Sequence, residues 1–495
     1  MNLSLRILAF SAVLATQGFA QNTTNGPNNP SWWSKYQYLL KNGSETKAGA
    51  SASNVVGQNV DVSNECGPQS ETFITINPSR PRVLAAGSNE IFRDPMRAYA
   101  STDGGASWSG TDAPLPPPIG NGIRFGSDPS LAFDTRGNLF YSYIVVFFGN
   151  GNGINGTEMA VAKSTDGGKS FSGTNFFSFS GGSDHFNDKP MIAVDTGSRS
   201  PFKDQIYVAW DAANGGSGGG GIRLAHSSDH GATFRTTRAD DPHGPGRSIG
   251  AVPFVGPRGE VYVAWNDYSN NTIAFNRSFD GGATWDTQTV IANKTLAFDI
   301  AIPAEFSRGA LEYPSCDADR SGREHDGRLL CAWMDLTRQG TTDIFVAYSD
   351  DRGSHWTAPQ PVTDQLWFPV DRFNQWLAVD QVTGEVNVSF YDTRNDITGA
   401  RYMTDIYFSQ SGNGGNTWSI PNTRVTDVSS NEHDCGGIFP CSAINYGNQQ
   451  GDYAGLASYA GVSHPIWTDS RKNQTPAAGC SRGLAMEEVF TAVVK

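Results

Sequence analysis

The sequence predicts an all-β protein assembled from one supersecondary unit repeated along nearly the whole chain. Three observations carry that prediction. A Ser-x-Asp-x-Gly-x-x-aromatic motif occurs six times, beginning at Ser101, Ser164, Ser227, Ser278, Ser349 and Ser411, the last with Asn413 in place of Asp. The copies recur at intervals of about 51 to 71 residues, the period of a repeat array. A β-rich run precedes each copy, as in Met96–Tyr99, Ile222–Ala225, Ile344–Ala347 and Ile406–Ser409. The composition agrees, since 56 of 495 residues are Gly and only 17% are charged, which suits a turn-rich secreted β protein.

Each motif reads as a turn between two strands. The Asp side chain accepts hydrogen bonds from backbone N–H groups just downstream. Gly supplies the positive φ of a tight hairpin. The Trp or Phe opens the next strand and offers a large face for burial against the neighbouring unit. The hairpin alone accounts for the six Asp and Asn side chains, so they are expected to be structural.

The pattern resembles the Asp-box, or bacterial neuraminidase repeat, of the sialidases and their relatives. The resemblance covers roughly residues 65–495. It implies a β-propeller, and it is more specific for fold than for activity, because one fold hosts many functions. Members of that family open their first inner strand with an Arg-Ile-Pro element. Here the strand begins Gln69-Ser-Glu71-Thr without it, which marks a divergent member.

The elements follow in chain order. Met1–Ala20 reads as a signal peptide, with Arg6, an apolar core and a small-residue cleavage site before Gln21. Residues 21–53 form a polar, partly ordered leader, and residues 54–495 the propeller. Six boxes suggest six blades, the usual sialidase number. A second strand ending in an aromatic and an acidic or amide residue gives seven, however: Trp210-Asp211, Trp265-Asn-Asp267, Trp333-Met-Asp335, Tyr391-Asp392 and Trp467-Thr-Asp469, with earlier versions ending at Asn89 and Tyr143. The seventh unit ends at Val494 with three strands and no box. Asn54–Val62 is the natural donor of its fourth strand, closing the ring and removing two exposed sheet edges. Residues 427–450 form a Cys-containing insertion before the last blade.

Six cysteines in a secreted chain suggest disulfides. Of the possible pairings, Cys316–Cys331 would link consecutive strands, Cys435–Cys441 would close a small loop, and Cys66–Cys480 would staple the ring closure. Sequons at Asn22, Asn42, Asn155, Asn270, Asn276, Asn293, Asn387 and Asn473 suit an extracellular glycoprotein, with Asn387 expected to lie mid-strand and unmodified. A net charge of −13 argues against nucleic-acid and anionic-membrane partners. A monomer is expected.

In a four-stranded meander blade the Asp-box turns lie on one face. The inner-strand starts and the ends of the second strands lie on the other, around the channel mouth. One residue per blade forms a column there: Glu71, Asp128, Lys189, Ser248, Tyr313, Asn374 and Asp452, with Asp188, Glu312, Gln375 and Tyr453 beside them. Around it fall Asp211, Asp267, Asp335, Asp392 and Asp469, with Arg394 and Arg471, while Arg93, Arg97 and Arg372 are in reach. The Asp residues at strand ends are more often turn caps than catalysts. The column differs in chemistry from blade to blade, as a site requires.

The sialidase resemblance implies a Tyr nucleophile made basic by a Glu, an Asp acid/base and arginines for a sugar carboxylate. A Tyr nucleophile departs from the two-carboxylate scheme of most glycosidases. On the matching positions, Tyr453 is the nucleophile, Glu312 its partner and Asp128 the acid/base. Arg394 and Arg471 would bind the substrate's carboxylate, and Glu71, Lys189, Asn374 and Asp452 would contact the sugar. The expected function is a secreted sialidase-like exo-glycosidase acting on terminal, acidic sugars of a glycan or polysaccharide. The alternatives are another polysaccharide-degrading propeller, such as a uronate lyase or an arabinan- or xyloglucan-type hydrolase, and a non-catalytic glycan-binding propeller. No cofactor is expected, with Ca²⁺ in the acidic channel mouth left open.

Overall fold

The computed structural model describes residues 59–151, 153–182, 187–212, 220–241, 248–306, 308–396, 398–433, 450–472 and 487–495. The chain is a seven-bladed β-propeller of four-stranded antiparallel blades. Blade 1 runs from the inner strand Gln69–Ile76 through Leu84–Glu90 and Arg97–Ser101 to the outer strand Ser109–Asp112. Blades 2 to 6 repeat this order from inner strands Ile123–Phe133, Asn187–Val194, Ser248–Val255, Ser315–Ala318 and Arg372–Val379. Blade 7 contributes Leu456–Tyr459, Val462–Asp469 and Glu488–Ala492.

The fourth strand of blade 7 is Asn59–Asp61, paired antiparallel with Glu488–Ala492 so that Val60 faces Thr491. This is the expected ring closure, observed over the described part of the 54–62 segment. A second link joins the inner strands across the same junction, where Gly455 donates its N–H to Thr72 O at 2.8 Å. The signal-peptide and leader segments lie outside the described residues.

All six boxes form the same turn between third and outer strands. In the first, Asp103 Oδ1 accepts from Ala106 N and Ser107 N, both at 3.0 Å, and Asp103 Oδ2 accepts from Ser107 Oγ. Ser101 Oγ accepts from Gly105 N at 2.9 Å, and Gly105 has φ +84°. In the Asn413 copy the amide reverses one bond, because its Nδ2 donates to Thr417 Oγ1. A carboxylate is therefore not required for the turn.

The core lies between blades. Trp210, Trp265, Trp333 and Trp467, the aromatics at the second-strand ends, are each at most 1% exposed. Cys316 and Cys331 pair across the ladder of blade 5 and are disulfide-bonded. Cys66 is also disulfide-bonded, while Cys435, Cys441 and Cys480 lie outside the described residues. Asn387 is buried within its strand, and so is Asn276, whose amide donates to Ala239 O and Asp286 O.

The inner strands set the channel. Two residues past the column, Phe73, Met191, Val252 and Trp376 form an apolar layer, with Phe73 packed edge-on to Trp376 at 5.0 Å. Beyond it, small residues at Thr75, Ala132, Ala193 and Ala378 leave a cavity of 590 Å³ that opens toward the Asp-box face. The apolar layer separates this cavity from the column.

Candidate functional site

Each of the five long inner strands, those of blades 1 to 4 and 6, carries a bulge just inside the mouth, with register shifts between Ser70 and Phe73, Ser127 and Ser130, Asp188 and Met191, Ile249 and Val252, and Phe373 and Trp376. The first extra residue is left-handed in each: Glu71 at φ +54°, Asp128 at +59°, Lys189 at +51°, Gly250 at +72° and Asn374 at +47°. Left-handed backbone costs a non-glycine residue about 1–2 kcal/mol. Bulges next to sites serve to re-aim a side chain. Four polar side chains are thus turned toward the axis at one level, at a cost in backbone strain.

Blade 4 corrects the expected column. Its bulge residue is Gly250, whereas Ser248 stands two residues earlier, paired with Asp267. The substitution has a steric reason. A Cβ at Gly250 would meet Tyr313 Cδ1 at 2.2 Å, so the glycine admits the Tyr313 ring from blade 5. Blade 7 does the same at Gly451, whose absent Cβ leaves room for Glu71.

The column closes into one buried ionisable cluster. Lys189 Nζ lies between two aromatic faces, 3.8 Å from the Tyr313 centroid and 3.7 Å from that of Tyr453. Asp452 is ion-paired with Arg308 and accepts from Tyr313 OH at 3.3 Å. Asn89 ties blades 1 and 2 together, donating through Nδ2 to Glu71 and accepting from Asp128 N at 2.8 Å. Glu71 and Asp188 are both hydrogen-bonded to Asp128. Tyr313 and Asp211 keep 8% and 7% of their surface open, the most in the cluster together with Arg308.

The carboxyl groups are driven apart. Burial, reinforced by the charges of Asp452 and Asp128, holds Glu71 well above the usual carboxylate range. Burial and the charges of Asp128 and Asp211 do the same to Asp188. Burial also opposes ionisation of Asp128, but the hydrogen bond from Glu71 and the Lys189 charge outweigh it and bring Asp128 below its ordinary value. The set thus places one carboxyl held toward its ionised form between two held toward their protonated forms. Burial lowers Lys189, against the pull of the surrounding carboxylates.

The other expected residues have different partners from those the sequence suggested. Tyr453 OH donates to Pro129 O at 3.0 Å, and burial holds it as a neutral phenol well above its ordinary pKa. Glu312 is fully buried against Lys294 Nζ at 2.9 Å, and burial pushes it up to about 8. The expected Tyr453–Glu312 pair is therefore not formed, because each is engaged by a different neighbour. Arg394 is clamped by Asp392 and Asp364 over the Tyr407 ring, and Arg471 by Asp469 and Asp427 over Phe490. Arg372 pairs with Asp343 and Asp392, Arg97 with Glu65 and Asp112, and Arg93 with Asp112. None of these arginines joins the Lys189 cluster, so among the described residues no three arginines converge there.

The Trp-x-Asp series is architectural apart from Asp211. Asp267 caps its own loop through Ser269 and Asn270, and Asp335 accepts from Thr295 N and Leu296 N of the preceding connection. Gln375 donates to Tyr313 O at 2.7 Å, holding the tyrosine's backbone. Sequence reasoning missed Arg308 and read Asn89 only as the end of a second strand. Arg308 lies in an irregular stretch after Asp299–Ile300, outside any strand pattern. Among the described residues, no group of three or more His, Cys, Asp or Glu is arranged to hold a metal ion. No helix among them is long and apolar enough to cross a membrane.

No family model matches the chain, and no curated protein matches it. Solved structures similar in fold include a leech intramolecular trans-sialidase in complex with 2,7-anhydro-Neu5Ac, at 13% identity over 76% of this chain and 72% of that one, TM-score 0.49. Another is the intramolecular trans-sialidase of Ruminococcus gnavus, at 13% identity over 64% and 89%, TM-score 0.46. A third is an α-L-arabinofuranosidase of Fusarium graminearum, at 11% identity over 72% and 97%, TM-score 0.45. The propeller assignment rests on this chain's own blades.

Proposed function

We propose that the chain is a secreted glycan-processing hydrolase whose acid–base set is Glu71, Asp128 and Asp188. One observation carries this reading. Three ionisable side chains, Glu71, Asp128 and Lys189, are held in strained left-handed backbone at one bulge position of successive blades, and the two carboxyls among them are pushed in opposite directions. Titratable groups whose environments drive their pKa values apart mark acid and base assignments. Strain of this kind concentrates at functional sites.

In this reading Glu71 gives its proton to the leaving oxygen as the glycosidic C–O bond breaks, a water oxygen bonds to the anomeric carbon, and Asp128, hydrogen-bonded to Glu71, takes the proton that water releases. Asp188 supports Asp128, and Asn89 fixes both reacting groups. The Glu71–Asp128 contact is shorter than the roughly 5–5.5 Å between the carboxyls of a retaining pair, so Asp128 does not serve as a nucleophile opposite Glu71. Tyr453, a phenol donating to Pro129 O, supports the floor. Secretion is supported by the Met1–Ala20 pattern together with the Cys316–Cys331 disulfide.

The test is release of sugar from a panel of chromogenic glycosides and plant, fungal and animal oligosaccharides. Glu71→Gln and Asp128→Asn should each lower kcat by about 10²–10⁴-fold, the usual contribution of a positioned proton-transfer group. A folded wild-type protein that cleaves nothing in the panel, or variants as active as wild type, would refute the proposal.

A further inference from the structure

The ammonium of Lys189 is 3% exposed, and its Nζ has no hydrogen-bond acceptor among the described residues. A buried ammonium left so is costly, because an unmade hydrogen bond to a charged group forfeits more than a neutral one. Two tyrosine faces compensate the charge but offer no lone pair along an N–H direction. Asp211 Oδ1, near enough to feel the Lys189 charge, also lacks a donor, and so does Asn374 Oδ1 on the same level of the ring. One unmade donor and two unmade acceptors therefore share the axis. They come from blades 3 and 6, and among the described residues none of the three has a hydrogen-bond partner.

The charges select what fills it. Asp452 is matched by Arg308, and Asp128 by Lys189, while Glu71 and Asp188 act as donors to Asp128. A ligand carboxylate would enter beside these carboxyl groups, and among the described residues the two cations of the cluster, Lys189 and Arg308, already face carboxylates. A hydroxyl adds no charge, accepts from Nζ and donates to the open oxygens.

We propose that Lys189 is the orienting donor for a hydroxyl of a neutral sugar, and that this site discriminates against sugars bearing a carboxylate. The inference rests on the mouth being the glycan site of the proposed function and names the class of sugar it takes. It departs from the acidic sugar expected from sequence.

The experiment is binding of the full chain to a printed panel of neutral oligosaccharides and their uronic- or sialic-acid-terminated counterparts. Titration with the best neutral member follows, on wild type and Lys189→Met. Wild type should prefer each neutral glycan over its acidic counterpart by at least 10-fold. Lys189→Met, which keeps the side-chain length but donates nothing, should lose at least 10-fold in affinity while its thermal midpoint confirms folding. Tighter binding of the acidic members, no binding of any neutral member, or unchanged affinity in folded Lys189→Met would each overturn the inference. The wild-type comparison stands even if the variant fails to fold. Neutral binding that depends on Lys189 without bond cleavage would refute the hydrolase reading and leave this one standing.

Discussion

Gly250→Ala is expected to damage the site far more than its size suggests, and the structure gives the magnitude. The new methyl group meets two obstacles. At φ +72° it sits in the left-handed region, which costs about 1–2 kcal/mol. It also lands 2.2 Å from Tyr313 Cδ1 and 3.0 Å from Cε1, and overpacking of this kind costs about 1–3 kcal/mol more. Gly104→Ala, in the first Asp-box, isolates the first effect. Its φ is +81° and nothing lies within 4 Å of the built Cβ. The reduced entropy of the unfolded chain favours alanine equally in both and cancels from the comparison. Gly250→Ala should therefore be less stable than Gly104→Ala by about 1–3 kcal/mol in urea denaturation. Gly451→Ala should be at least as severe, since its methyl meets the backbone N of Glu71 at 2.8 Å, which cannot swing away. Only the two mouth variants should disturb ligand binding, because only they move Tyr313 or Glu71. Equal stability of Gly250→Ala and Gly104→Ala would refute the claim that glycine is there to admit Tyr313.

Asp103→Ala removes the acceptor of two backbone N–H groups and two hydroxyls in one box, and should cost about 1–3 kcal/mol without changing ligand affinity. Asp103→Asn should cost less, since Asn413 already closes the same turn. Stability should fall as pH rises through neutrality, since burial pushes Glu432 and Glu90 up to about 7 and Glu312 up to about 8 from 4.5. The native state holds protons that the unfolded chain has released, so this contribution is full below 4.5 and is lost through about 8. Thermal midpoints should drop between pH 5.5 and about 8.5, and Glu312→Gln should flatten the decline; a midpoint rising over that window would contradict the burial argument. At the acid end, hydrogen bonds in the boxes pull Asp229 and Asp351 down to about 2, so what they add is present above 3.8 and disappears as pH falls toward 2. Replacing Cys316 and Cys331 by alanine opens a loop of sequence separation 15 and should cost about 3 kcal/mol.

Blade number and ring closure were legible because they depend on periodicity. Six boxes and seven second-strand ends are counted, not inferred from contacts, and the missing fourth strand of blade 7 follows from the count. The column was legible for the same reason in four blades, where Glu71, Asp128, Lys189 and Asn374 fall at one register. It slipped in blade 4, because a bulge adds a residue that alternation cannot reveal, so Ser248 was read where Gly250 stands. What each column member touches was not legible. Arg308 reaches Asp452 from 144 positions away along an irregular connection, and neither residue type nor spacing announces that meeting.

The arginines show how a repeat can imitate a site. Arg394 follows Asp392 by two positions and Arg471 follows Asp469 by two, and both were read as ligands for a substrate carboxylate. In the fold the two do one job twice. Each holds the Asp of its own second strand and the Asp just past the outer strand of the preceding blade, Asp364 for one and Asp427 for the other, with its guanidinium stacked on Tyr407 or Phe490. They are inter-blade clamps, and their recurrence at equivalent positions is the sign of it, because a substrate contact on the propeller axis has no reason to repeat with the blades. The column obeys the opposite rule. Its backbone repeats and its side chains do not: an acid, an acid, a lysine, a glycine making way for a tyrosine, and an amide. Within a repeat protein, the position where geometry is kept and chemistry varies is where a ligand without the repeat's symmetry can be recognised.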